Sequence, residues 1–343
     1  MAEIGEVLLD VRDLHVHFNT ADGVVKAVDG VSFQVHRNET VGIVGESGSG
    51  KSVTCLTALR LINLETAHVT GEVLFKGKNL LTLPKEELRH IRGKELSMIF
   101  QDPFACLHPL YKVGDQIVEA ILTHDDCGKD TAKDRTVDLL KAVGIPRPEQ
   151  RFNDYPHQYS GGMRQRAMIA MALVHNPDVL IADEPTTALD VTVQAQILEL
   201  IDRVKQDFNI GVILITHDLG VVSDFAQSVM VMYAGRPVEI GSRDEVFSQP
   251  LHPYAWGLLD SIPSVDQKGT RLIPITGAPP SLINVPPGCP FHPRCPHRFD
   301  PCDKDRPELA DRGGGHPEAC HLTVEDKRRL WNERERRRMK APA

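Results

Sequence analysis

Four short apolar runs stand out along the chain: VGIVG (41–45), LSMIF (96–100), VLIA (179–182) and GVILIT (211–216). Each is apolar at successive rather than alternate positions, the pattern of a strand buried on both faces. Stretches with helical spacing lie between them, such as KSVTCLTALRLI after the first run and VTVQAQILELIDRVKQ after the third. Strands alternating with helices predict an α/β fold built around a parallel core sheet. The N-terminal segment LLDVRDLHVHFNTADGVVKAVDGVSFQVH alternates in the manner of antiparallel strands and predicts an antiparallel β subdomain. Residues 103–165, which include VGDQIVEAILTH and TAKDRTVDLLKAVG, are long for a simple crossover and predict an inserted helical subdomain. From about residue 250 the periodicity fades and proline, glycine and cysteine become frequent, as in PITGAPPSLINVPPGCPFHPRCP. This change divides the chain into a main domain, 1–250, and a loop-rich C-terminal extension, 251–343. The charged end, KRRLWNERERRRMK, predicts a solvated terminal helix.

Composition narrows the class. A chain of 343 residues has room for one large domain or two smaller ones. Its net charge of −8 argues against bulk electrostatic binding to nucleic acid. No apolar run approaches the roughly eighteen residues that span a bilayer. The start, MAEIGEVLLDVRDL, lacks the pattern of a secretory signal, so the expected compartment is the cytosol, where thiols stay reduced. Of seven cysteines, Cys55, Cys106 and Cys127 are scattered and read as small, partly buried side chains. Cys289, Cys295, Cys302 and Cys320 form a group near the C-terminus.

Candidate chemistry gathers where the strands end. The run Gly45-Glu-Ser47-Gly48-Ser49-Gly50-Lys51-Ser52 fits G-x-x-x-x-G-K-[ST], follows a strand and opens a helix, which is the context of a phosphate-binding loop. Glycines let successive N–H groups turn toward phosphate oxygens, helped by the positive helix N-terminus. Lys51 is expected to reach the β- and γ-phosphates of ATP, and Ser52 to ligate Mg²⁺. Asp183 closes the third strand and matches the acidic residue that helps hold Mg²⁺, while Glu184 is placed to act as general base. Gln101 and His217 would be unremarkable singly, but both follow strands of the same sheet. Gln101 is expected near Mg²⁺ or the attacking water, and His217 near the γ-phosphate. Ligands in open α/β sheets bind beyond the carboxyl ends of the strands, so these residues predict one composite site.

The stretch YSGGMRQR (159–166) supplies a second cradle, because Ser160-Gly161-Gly162 opens the helix that precedes the Asp183 strand. One ATP needs one phosphate loop, so the second cradle points to a head-to-tail dimer in which it faces the partner's nucleotide. Together these residues resemble the ATP-binding subunits of ABC transporters over about residues 7 to 250. The ordered elements are the Walker A loop, Gln101 in the Q-loop, the Ser160-Gly161-Gly162 signature, Asp183 and Glu184 in Walker B, Ala188-Leu189-Asp190 in the D-loop, and His217 as the switch histidine. The signature departs from the family's usual form in beginning with Tyr159 and carrying Met163. The resemblance implies an aromatic residue stacked on adenine, for which Phe18 is the candidate, although the extra residues NTAD follow it. A kinase or GTPase using the phosphate loop alone would leave the second cradle unexplained. Non-transport ABC ATPases usually bring coiled-coil inserts or tandem cassettes, neither of which is visible.

The extension narrows the resemblance. His252-Pro253-Tyr254, GAPPSL and the cysteine group are similar to the C-terminal region of dipeptide/oligopeptide importer ATPases. By donor chemistry alone the four thiols suit Zn²⁺ or an iron–sulfur cluster, and their C-x5-C-x6-C-x17-C spacing lacks the short knuckles of structural zinc. The resemblance implies a 4Fe-4S cluster held by Cys289, Cys295, Cys302 and Cys320, with Zn²⁺ as the alternative; His292, His297 and His316 nearby read as structural. It also implies ATP-driven import of di- or oligopeptides at the cytoplasmic face of the membrane. A related cargo, glutathione or a nickel complex, is the alternative. The partners implied are a second homologous ATPase, two transmembrane permease subunits and an extracytoplasmic peptide-binding protein, with no nucleic acid.

Overall fold

The computed structural model describes residues 5–187, 189–261, 274–312 and 314–340. Ala188 of the expected D-loop lies outside the described residues. The chain falls into two compact units: Met1–Leu9 with Gln34–Glu39 and Leu74–Ile215, and Asp10–Phe33 with Thr40–Val73 and Thr216–Ala343.

In the first unit the strands Leu96–Ile99, Val179–Asp183 and Gly211–Thr216 run parallel, with Leu96 opposite Val179 and Val179 opposite Gly211. Every residue in them is buried, as their unbroken apolar sequence requires. The helical stretch contains Pro103–Cys106, Val113–His124, Lys129–Ala142 and Pro148–Arg151. Val113–His124 buries Val113, Ile117 and Ile121, a stripe repeating every four residues. The long helix Val191–Phe208 is capped by Asp190, whose Oδ1 accepts from the Val193 N–H at 3.0 Å, and it ends on Asn209 in the left-handed conformation.

In the second unit Thr40–Val44 pairs in parallel with Ser228–Tyr233, and Arg236–Ser242 pairs antiparallel to that same strand. Residues 10–20 and 23–33 belong to the long strands Val7–Thr20 and Gly23–His36, where Leu14 and Val16 are buried while Arg12 and Asp13 are exposed. Helix Lys51–Ala58 follows the Thr40–Val44 strand after the glycine loop.

The extension is more ordered than its composition suggests. Pro253–Asp260 is a helix with all eight residues buried, capped by His252, whose Nδ1 accepts the Tyr254 N–H at 3.0 Å. A helix buried on every side shows no 3.6-residue contrast, which is why its sequence reads as featureless. Tyr233, Tyr254, Trp256, Phe291 and Trp331 share one core cluster. The terminal helix, Val324–Lys340, exists but is not wholly solvated as expected. Lys327 and Trp331 are buried one turn apart, and Trp331 Nε1 donates to the Ser248 carbonyl at 3.0 Å. Two residues at helical spacing are enough to dock a helix whose remaining surface is charged.

Candidate nucleotide-binding site

The loop between Thr40–Val44 and Lys51–Ala58 needs glycine at two positions for different reasons than at a third. A Cβ on Gly45 would meet the Met232 carbonyl oxygen at 2.2 Å, and one on Gly50 the Ala27 carbonyl oxygen at 2.2 Å. Gly48 has open space around it but a φ of 78°, which only glycine adopts readily. The result is a tight cradle with Ser47 and Gly48 exposed at its crest. Lys51 is almost completely buried, and its Nζ donates to the carbonyl oxygens of Gly45 at 2.7 Å and Glu46 at 3.0 Å. Ser49 Oγ is buried with no hydrogen-bond partner among the described residues. An orphaned hydroxyl and a lysine held on its own loop's carbonyls fit a site completed by phosphate oxygens. Ser52 sits half-buried in the first helical turn.

Glu46, an unspecified position of the motif, is held on two sides by the extension. Its N–H donates to Tyr254 Oη at 2.8 Å, and its carboxylate accepts from Arg294 Nη1 at 2.6 Å and Nη2 at 3.0 Å. Nothing in the sequence pairs residues 248 positions apart, and neither Glu46 nor Arg294 was singled out as a candidate. Of the other expected residues in this unit, Phe18 is half-buried in the Val7–Thr20 strand. His217 is exposed, between the Gly211–Thr216 strand and the helix Leu219–Phe225, which Asp218 caps by accepting the Gly220 N–H at 2.8 Å.

In the first unit the structure brings Gln101 and Glu184 together. Gln101 Nε2 donates to Glu184 Oε2 at 3.0 Å, and the Thr187 hydroxyl donates to the same oxygen at 2.9 Å. Thr187 was not among the candidates; its only sequence signal is its place in the turn after Glu184. Asp183 is buried at the strand end. Glu184 takes a φ of 47°, and its N–H donates to the Ile215 carbonyl at 2.9 Å. A left-handed non-glycine residue is strained, and such strain gathers at functional sites. Helix Gly161–Leu173 begins at Ser160, whose Oγ accepts the Met163 N–H at 3.3 Å. Ser160 and Gly161 are exposed, whereas a Cβ on Gly162 would meet Val193 Cγ1 at 2.9 Å. Tyr159, the departure in the signature, is buried and donates its hydroxyl to the Arg151 carbonyl at 2.9 Å, so it serves packing.

Cys289, Cys295, Cys302 and Cys320 line one small pocket together with Phe291 and Leu322. Burial pushes the Cys295 thiol up to about 11 and the Cys320 thiol up to about 12, and raises that of Cys289 as well. Four thiols lining one pocket suit a soft metal or an iron–sulfur centre, and His252, His292, His297 and His321 line the same pocket. The neighbouring histidines have other partners. His316 Nε2 lies 2.8 Å from Glu239 Oε1, His292 Nδ1 lies 3.0 Å from the Cys289 carbonyl oxygen, and the His297 ring packs edge-on against Trp256.

A phosphate loop, an acidic strand end with an oriented glutamate and a second serine-capped cradle make this a P-loop ATPase. Comparison with known proteins sharpens that class. Residues 28–187 match the family model described as ABC transporter, and residues 238–302 match the oligopeptide/dipeptide transporter C-terminal region. The chain is 53% identical over 318 residues to the dipeptide transport ATP-binding protein DppD of Bacillus subtilis, covering 92% of this chain and 95% of that one. It is 48% identical over 320 residues to the oligopeptide transport ATP-binding protein OppD of Salmonella typhimurium, covering 93% and 95%. Among solved structures, the dimeric bacterial ABC transporter cassette MJ0796 superposes with a TM-score of 0.62 at 25% identity, covering 69% of this chain and 99% of that one. The chain belongs to the ABC transporter family, in the group of dipeptide and oligopeptide transport ATP-binding proteins.

Proposed function

We propose that this chain is the ATP-hydrolysing subunit that powers import of di- or oligopeptides across the cytoplasmic membrane. The observation that carries hydrolysis is the Glu184 carboxylate, oriented by Gln101 and Thr187 next to the buried Asp183. The match of residues 238–302 to the peptide-transporter C-terminal region carries the cargo class. In this reading residues 1–250 are the ATPase, 103–165 its helical subdomain, and 251–343 the importer extension.

The tasks then divide among the residues, with Gln101 serving both Glu184 and Mg²⁺. Gly45, Ser47, Gly48, Ser49 and Gly50 cradle the phosphates, and Lys51 exchanges its two loop carbonyls for phosphate oxygens. Phe18 stacks on adenine. Ser52, Gln101 and Asp183 would hold Mg²⁺, which supplies charge neutralisation on the β- and γ-phosphate oxygens. Glu184 takes the proton of the attacking water, and His217 contacts the γ-phosphate. Ser160, Gly161 and Gly162 face the nucleotide of a second, related ATPase subunit, so that ATP favours the closed pair. Two permease subunits receive that motion, and an extracytoplasmic binding protein delivers peptide. The chain sits peripherally on the cytoplasmic face; among the described residues no helix is long and apolar enough to cross a membrane.

Cys289, Cys295, Cys302 and Cys320 hold a 4Fe-4S cluster in this reading. Their common pocket supports it, as does their C-x5-C-x6-C-x17-C spacing along the sequence. Co-expression with the permease subunits tests the whole reading: ATPase activity in vesicles should rise with a peptide-loaded binding protein. Failure to co-purify with integral membrane subunits would sink it. Equimolar iron and sulfide with broad visible absorbance is expected of the cysteine pocket, and a colourless, zinc-loaded protein would overturn that assignment alone.

A further inference from the structure

Arg294 is a charged residue in an unusual place. Its side chain is only 5% exposed, while that of its partner Glu46 is 28% exposed. The guanidinium lies 5.8 Å from the Tyr233 ring centre and 6.0 Å from that of Phe291, and it also donates to Tyr233 Oη at 3.3 Å and the Thr276 carbonyl at 3.0 Å. The hydrogen bonds to Glu46 hold the guanidinium pKa above its ordinary value. A cation taken this far out of water, bidentate to one carboxylate, is not a casual surface pair.

The carboxylate it holds is misplaced for the loop's task. Glu46 is the second residue of a cradle meant to receive a triphosphate, and an unpaired negative charge there repels the ligand. Arg294 neutralises that charge and pins it by a two-pronged contact, while Tyr254 Oη takes the Glu46 N–H and Lys51 Nζ donates to the Glu46 carbonyl oxygen. Arg294 itself is set by a tight turn that carries two of the cysteines. The His292 N–H donates to the Cys289 carbonyl at 3.0 Å, Arg294 N–H to Phe291 at 2.9 Å, and Cys295 N–H to His292 at 3.3 Å. What orders that turn therefore also places the guanidinium.

We infer that Arg294 is a positioning residue of the nucleotide site: through Glu46 it makes the phosphate loop fit for ATP, so that the C-terminal extension sets nucleotide affinity. This rests on the ATP-binding reading of the loop, and wild-type protein that bound no fluorescent ATP analogue would defeat that reading before the inference was reached.

The test measures nucleotide affinity and ATPase kinetics of the full chain in wild type, R294M, E46Q and R294M/E46Q. In R294M the Kd and KM for ATP should rise about tenfold or more, with kcat at saturating ATP nearly unchanged. The loss should be larger for ATP than for ADP and should shrink at high salt, because it is electrostatic. R294M/E46Q should return ATP affinity to within about threefold of wild type, since the offending charge is gone. A purely structural arginine would be rescued by neither. If R294M does not fold, E46Q alone decides: ATP affinity kept or raised supports the inference, and a tenfold loss overturns it. Unchanged affinity in R294M, or a loss that the second substitution does not relieve, overturns it as well.

Discussion

The side-chain amide of Gln101 donates a 3.0 Å hydrogen bond to Oε2 of Glu184, the residue proposed to take a proton from water. With Thr187 donating to the same oxygen at 2.9 Å, Oε1 is left as the oxygen to which neither of these donors is bonded. Glu184→Gln keeps the shape of the side chain and removes its basicity. Turnover should fall by about 10²- to 10⁴-fold with ATP binding retained, the range a general base contributes. Gln101→Ala should lose less, about tenfold, because Thr187 still orients the carboxylate and Ser52 and Asp183 still hold Mg²⁺. Phosphate release beside an independent binding titration checks both. Near-normal turnover in Glu184→Gln would remove the base assignment.

The glycines of the phosphate loop should not be equivalent. Gly48→Ala adds a methyl into open space and costs only the left-handed backbone, about 1–2 kcal/mol. Gly45→Ala and Gly50→Ala drive a methyl to 2.2 Å from a carbonyl oxygen, and the loop must move to admit it. We expect Gly48→Ala to fold and still bind ATP, and the other two to lose ATP binding. Thermal melting with and without nucleotide measures this; equal behaviour of all three would contradict the cradle geometry.

Tyr254, the last residue of the His-Pro-Tyr triplet, accepts the Glu46 N–H at 2.8 Å from a fully buried position. Tyr254→Phe keeps the ring against Tyr233 and Phe291 but leaves that N–H without its acceptor. The expected loss is about 1–3 kcal/mol of stability, together with weaker ATP binding. A variant as stable as wild type, with unchanged affinity, would show that water replaces the phenol.

What could be read from the sequence was what is local. The strands appear within a residue or two of the apolar runs, because burial on both faces writes itself into consecutive positions. The Walker A loop and the Ser160 cap were equally legible, since the groups that build them are neighbours in the chain. Gln101 and Glu184 each stand out in the sequence by their place after a strand, but their hydrogen bond across 83 positions does not. The grip of Arg294 on Glu46 carried no signal at all. Pro253–Asp260 escaped because a helix with no exposed face has no period to detect. The docking of the terminal helix is not legible in its charged sequence, because one of its basic residues is buried in an ion pair with an equally buried glutamate.

That residue, Lys327, has no exposed surface and donates through Nζ to Glu318 Oε1 at 2.5 Å; Arg312 Nε lies 3.1 Å from the same oxygen. Breaking such a pair costs more than the pair contributes, since the surviving charge stays buried. Lys327→Met should therefore destabilise the chain by about 3–5 kcal/mol, because Arg312 is partly solvated and compensates poorly. Lys327→Met with Glu318→Met removes both charges and frees Arg312 to turn to solvent, so much of the loss should return. Urea denaturation of the two single variants and the double variant yields the coupling directly. A double variant whose loss equals the sum of the two single losses would mean that the two charges do not depend on each other. The helix would then be held by Trp331 and its bond to the Ser248 carbonyl rather than by the ion pair.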